Sequence, residues 1–133
     1  MEFFEYFLVC LFGASGYGAI EILWRGKTHW SMLLTGGTAF LCIYLISNFS
    51  RAAIAKKSLM CAVAITTVEY MTGMLVNIKL GWDVWDYSSL PFQLNGQICL
   101  LYSVLWLALS LPGIWVSREV HKSFKQLSKR YSP

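Results

Sequence analysis

Thr66, Glu69, Tyr70, Gly73 and Asn77 follow one another at spacings of three and four inside an apolar run. On a helix they share one face, opposite Val68, Met71 and Leu75. Lipid cannot satisfy such a stripe, so it must face other helices or water. A charge at mid-bilayer costs about 2.5–3.5 kcal/mol on insertion scales. Glu69 is therefore protonated, paired or beside a water-filled cavity. An intramembrane acid of this kind is a candidate functional group; the competing reading is a hydrogen-bonded Glu that joins helices. Glu21 and Arg25 are a second candidate pair. They stand four apart with the acid on the N-terminal side, the favourable order for an intrahelical ion pair. The alternative is an anchor pair at the membrane boundary.

The third group lies in the loop from Lys79 to Gln97. Asp83 and Asp86 flank Trp85, and Trp82, Trp85 and Tyr87 suit a headgroup layer. Ser88, Ser89 and Pro91 break regular structure, and Asn95-Gly96 signals a turn. At 19 residues this is a long loop for a compact bundle, and long loops are often functional. Its alternative reading is an aromatic belt with solvated carboxylates. An Asp-x-Ser turn often satisfies only its own backbone.

These residues need a scaffold, and composition indicates its kind. Hydrophobic residues make up 56% of the 133-residue chain and charged residues 14%, with a mean hydropathy of +0.52. A soluble domain carries about 25% charged residues. Runs of about 20 apolar residues span a bilayer core, and four are expected: residues 3–24, 30–48, 58–78 and 98–116. The expectation is an all-α, polytopic membrane protein. A four-transmembrane-helix bundle occupies residues 1–116, with a long aromatic outer loop. Residues 117–133 form a C-terminal basic amphipathic helix, suited to an anionic membrane surface or to extending the fourth span into water. The net charge of +4 sits between and after the apolar runs, which argues against nucleic acid as a partner and for membrane orientation.

The first run is too long for a signal-peptide core and begins with Glu2 and Glu5 in place of basic residues. Its small residues, with Ala14 and Gly18 four apart and Ser15 and Ala19 likewise, allow a close helix approach. Gly36-Gly37 marks a second close-packing point or slight bend. Pro112-Gly113 should kink or weaken the fourth helix. Asn48-Phe49-Ser50 fits a glycosylation sequon, a pattern common by chance. Cys10, Cys42, Cys61 and Cys99 are read as small buried residues, since none forms a CxxC pair.

Four spans place both termini on one side. Arg51, Lys56, Lys57, Arg118, Lys122, Lys125, Lys129 and Arg130 share that side, against Arg25, Lys27 and Lys79 on the other. Both termini are therefore expected in the cytoplasm, in the plasma membrane, with the long loop outside. Glu21, Glu69, Asp83 and Asp86 would then converge in the outer half of the bundle. His29 and His121 are both placed outside that group.

The pattern Val68-Glu69-Tyr70-x-Thr72-Gly73 with Asn77, then Trp85-Asp86-Tyr87-Ser88, then Asn95-Gly96-Gln97-Ile98-Cys99 and Trp106, resembles the CmpB / transmembrane-protein-229 family. Glu21 and Arg25 after Gly16 or Gly18 fit that family's first helix. The chain departs from the family at Leu33 to Phe40, which replaces a Gly-Pro-containing segment. Bacterial members are labelled ABC-transporter type IV permeases, so the resemblance implies a transport role. It also draws Thr72, Trp85, Tyr87 and Asn95 into the candidate ligand-binding set with Glu21, Arg25, Glu69, Asn77, Asp83 and Asp86.

The chain has no Walker A motif. ATP-driven activity would need a separate ATPase or another membrane subunit as partner, and four helices suggest a homo-oligomer. Besides the lipid bilayer, these are the expected partners; no cofactor is expected, no residue is assigned as catalytic, and a metal is left open. Three functions compete. The first is a transport component for a cation, proton or small polar solute. The second is a structural or regulatory subunit that binds a membrane protein or lipid. The third, a lipid-headgroup enzyme, is the weakest, because no HExxH, GxSxG or acidic metal motif accompanies the carboxylates.

Overall fold

The computed structural model describes residues 2–131; the last two residues of the expected tail, 132 and 133, lie outside the described residues. Four helices dominate: α1 (Glu2–Arg25), α2 (Trp30–Phe49), α3 (Ile54–Gly73) and α4 (Leu100–Tyr131). Each belongs to a segment long and apolar enough to cross a membrane. Phe3, Phe7, Leu23, Leu101 and Trp115 are among many large apolar side chains facing outward. Water would not tolerate so extensive an apolar surface, whereas acyl chains do.

The helix limits follow local chemistry. α1 stops at Gly26, whose φ of +76° turns the chain. His29 caps α2, its Nδ1 accepting the Ser31 N–H at 3.2 Å. α3 begins before its apolar run, because Lys57 is drawn inward to donate to the Ser47 carbonyl at 2.7 Å. It then widens into a π-helical segment, Met74–Lys79. Such segments are often found at functional sites. Strands β1 (Gln93–Leu94) and β2 (Ile98–Cys99) form a short hairpin, with Leu94 opposite Ile98. Its turn residues, Asn95 and Gly96, both have positive φ, as their turn chemistry foretells.

α4 continues through Pro112 without interruption for 32 residues. At 1.5 Å per residue it is about 48 Å long, well beyond the bilayer core. The helix therefore runs on past the point where Pro112-Gly113 was expected to kink or weaken it. Membrane helices absorb an internal proline because neighbouring groups can satisfy the freed carbonyl. Gly113 lies against Ile43 of α2.

α2 is the centre of the bundle. It packs along α1 and also touches α3 and α4, which pair with each other. One face of the small-residue strip in α1 makes the α1–α2 contact: Gly18 meets Leu33, and Ala14 faces Gly37. A Cβ at Gly37 would stand 2.8 Å from the Cys10 carbonyl oxygen, so only glycine permits this approach. Ser15 and Ala19 face outward instead. The mid-bundle core is Ala39, Ile43, Cys61, Ile65 and Ile114. A second core, Met32, Val76 and Trp85, supports the loop end. The cysteines are free, buried at Cys61 and Cys99 and half-buried at Cys10 and Cys42. Asn48 is half-buried, and its amide donates to the Tyr44 and Ser117 carbonyls, a packing role.

Candidate functional site

The polar stripe of α3 meets α4 and the hairpin residue by residue. Thr66 pairs with Ser103 at 3.2 Å, Glu69 with Trp106 at 2.6 Å, and Asn77 with Gln97 at 2.7 Å. Tyr70 accepts from the Asn95 amide at 2.8 Å. Glu69 is 5% exposed. Its Oε2 takes the indole N–H of Trp106, while its Oε1 is buried and has no hydrogen-bond partner among the described residues. The Tyr87 hydroxyl faces the same carboxylate at longer range, and Glu21 is near enough for the two acids to interact electrostatically. Tyr17 stands between them, close to both Glu21 and Glu69, with its ring 6.0 Å from that of Trp106. The centre is thus two buried carboxylates ringed by two phenols and an indole.

Glu21, 6% exposed, is joined to Arg25 at 3.1 Å. Arg25 also donates to the Val84 carbonyl at 3.1 Å. This links the end of α1 to the long loop. Beside the pair is a polar pocket of about 160 Å3, lined by Glu21, Arg25, Lys27, His29, Asp83 and neighbouring residues. His29 therefore belongs with the polar group, contrary to its expected place outside it. The short α1–α2 turn swings it toward Trp82, with the rings 5.8 Å apart.

Several loop residues are anchors. The Asn77 carbonyl oxygen accepts the Val84 and Trp85 N–H groups at 2.7 and 3.3 Å. The Trp85 indole, buried under the hairpin, donates to the Gln97 carbonyl at 3.0 Å. Gly73 makes this fit possible: a Cβ there would lie 2.5 Å from Gln97 Oε1 and 2.9 Å from Trp85 Cζ2. Asp86 does not join the buried acids. It is exposed, and its Oδ1 accepts the Ser88 N–H at 2.9 Å, which holds its carboxyl below the usual carboxylate range. Tyr87 stacks on Tyr102 with centroids 4.8 Å apart. Burial, and then the nearby Glu69 charge, push its phenol well above the ordinary range. Thr72 faces elsewhere, into an apolar groove between α2 and α3.

Thus Glu21, Arg25, Glu69 and Tyr87 come together around the carboxylates, with Asp83 at the neighbouring pocket. Asn77, Trp85, Asp86 and Asn95 hold the loop. Tyr17 and Trp106 complete the centre. Trp106 belonged to the family pattern, but Tyr17 had only its position one turn before Glu21 to mark it. At the opposite end, the Tyr44 hydroxyl donates to Glu5 and lies 2.8 Å from His121 Nδ1. A hydroxyl has one proton, so His121 donates its Nδ1–H in return. The shared side expected for the two termini was the signal for this contact.

The fold and its buried acids define a four-helix, multi-pass membrane protein. Residues 30–132 match the family described as "Putative ABC-transporter type IV", and the chain belongs to that family. The match covers α2, α3, the loop and α4, and begins just after Glu21 and Arg25. No curated protein matches the chain, and no solved structure does.

Proposed function

We propose that this chain is the membrane component of a transport system, and that the solute whose passage it serves is a proton or small cation, with a small polar solute as the next choice. The observation that supports this most directly is the orphaned Oε1 of Glu69. A buried oxygen without a partner is costly, and here it faces a second acid and two phenols. A transiting proton or cation would satisfy that oxygen and offset repulsion between Glu69 and Glu21. Glu69 is the carrier group in this reading. Glu21 and Tyr17 connect it to the polar pocket, where Arg25 and Asp83 sit. Tyr87 and Trp106 fix the carboxylate, while Asn77, Trp85, Asp86 and Asn95 keep the loop closed over it. Thr72 has the weakest claim, since it lines a different surface.

The protein sits in the plasma membrane with both termini cytoplasmic in this proposal, because eight basic residues flank that side against three on the other. Residues 1–116 are the membrane domain, and the basic tail from 117 onward projects from the cytoplasmic face as the continuation of α4. A separate ATPase or a further membrane subunit supplies any energy coupling, and copies of the chain associate. The test is Glu69→Gln, which keeps size and hydrogen bonding but cannot carry a charge. Loss of proton or cation flux with a folded protein supports the proposal, and unchanged flux removes it.

The second reading is a structural subunit that binds another membrane protein. The observation that favours it is the pairing of Thr66, Glu69 and Asn77 with Ser103, Trp106 and Gln97, which lets the polar stripe serve packing alone. Under that reading Glu69→Gln disturbs assembly and not flux.

A further inference from the structure

An apolar groove of about 400 Å3 runs between α2 and α3, lined by Leu34, Thr38, Val68, Leu75, Trp82 and others. Its volume lies in the range of ligand sites, about 300–1,000 Å3. The threonine hydroxyls of α2 do not make it polar: Thr35 donates to the Ser31 carbonyl and Thr38 to the Leu34 carbonyl. One end is closed by Trp30 and Trp82, whose rings lie 5.4 Å apart and which both contact His29. Tryptophans favour the boundary between headgroups and acyl chains. Trp82 is also a wall of the polar pocket holding Lys27, His29 and Asp83. An apolar groove at bilayer depth and a charged pocket at the interface therefore share one wall.

The charges of that pocket select the headgroup. Arg25 is occupied by Glu21. Lys27 and Asp83 are exposed and in no ion pair among the described residues. One free cation and one free anion complement a headgroup with a phosphate and an ammonium. A purely anionic lipid would meet Asp83 unfavourably.

We propose that the chain binds one zwitterionic glycerophospholipid here. One acyl chain lies in the α2–α3 groove, the phosphate meets Lys27, and the headgroup amine meets Asp83. The groove is separate from Glu69, whereas the headgroup would share the pocket of Arg25 and Asp83 with the proposed route to Glu69; lipid binding there does not require that route.

The test is native mass spectrometry of the full chain, released from detergent with palmitoyl-oleoyl-phosphatidylethanolamine. Controls are palmitoyl-oleoylglycerol, which lacks the headgroup, and glycerophosphoethanolamine, which lacks the chains. The expected result is one retained phospholipid, with both controls at least about tenfold weaker. Leu34→Trp fills the groove from its mouth, and Lys27→Ala removes the phosphate contact; each should lower retention about tenfold. Leu34 is 63% exposed and Lys27 is on the surface, so both variants should fold, which circular dichroism checks. Equal retention of palmitoyl-oleoylglycerol, or unchanged retention in either variant, would overturn the proposal in favour of nonspecific annular lipid. A dimer that excludes lipid and is broken by Leu34→Trp would overturn it in favour of a second copy in the groove.

Discussion

The Glu69–Trp106 bond holds the buried acid in place. The indole N–H is the donor that makes a buried carboxylate tolerable, and no other donor among the described residues completes a bond to it. Trp106→Phe keeps most of the ring but leaves both oxygens unsatisfied. It should lower stability by about 1–3 kcal/mol, read from thermal or denaturant unfolding in detergent. An unchanged midpoint would mean that the indole bond is not important. Asp86 behaves differently because it is exposed. Its folded carboxyl titrates below its unfolded value, so its support of the Ser88 turn is present above about pH 4 and fades as pH falls through the lowered folded value. Hydrogen exchange at the Ser88 amide should therefore quicken, relative to its intrinsic rate, only in acid. Asp86→Asn should remove that pH dependence. At this scale much was legible from sequence: Glu69 in an apolar run and the Glu21–Arg25 spacing both announced themselves. Tyr17 did not, because periodicity gives the faces of one helix but not which face of α1 turns toward α3.

Among the elements, the π-helical end of α3 and the hairpin form one device. Asn77 reaches three groups, the Val84 and Trp85 amides and the Gln97 side chain. Gly73 lets the hairpin lie directly on the helix. Asn77→Ala should free the loop, raising hydrogen exchange at Val84 and Trp85 and costing about 1–3 kcal/mol. Exchange confined to the hairpin tip would contradict this role. The sequence showed that the loop was long, aromatic and turned at Asn95-Gly96. It did not show that Asn77 and Trp85 serve the loop's own closure, since a polar residue that binds backbone looks the same in sequence as one that binds ligand. Nor did it show α4 running through Pro112, where the outcome depends on packing against α2.

For the whole molecule, four apolar segments sufficed to read the bundle, and the unequal share of basic residues at its two ends, eight against three, sufficed to propose its orientation. The pairing of helices was less legible, because lipid-facing and helix-facing apolar surfaces share the same composition. Four helices are few for a solitary transporter, so the proposed role needs further subunits or copies of the chain. Affinity purification from native membranes in mild detergent should recover an ATPase, a permease-like subunit or a defined oligomer. Recovery only as a monomer would contradict that expectation. The carrier role of Glu69 is tested by proton and monovalent-cation flux into native-membrane vesicles that contain the chain with its own partners. Wild type, a strain lacking the chain and Glu69→Gln are compared at equal protein levels. Flux should require the chain and fall at least about tenfold in Glu69→Gln, a loss of about 1.4 kcal/mol or more. Flux that is the same in all three, or unchanged in Glu69→Gln, would contradict that role.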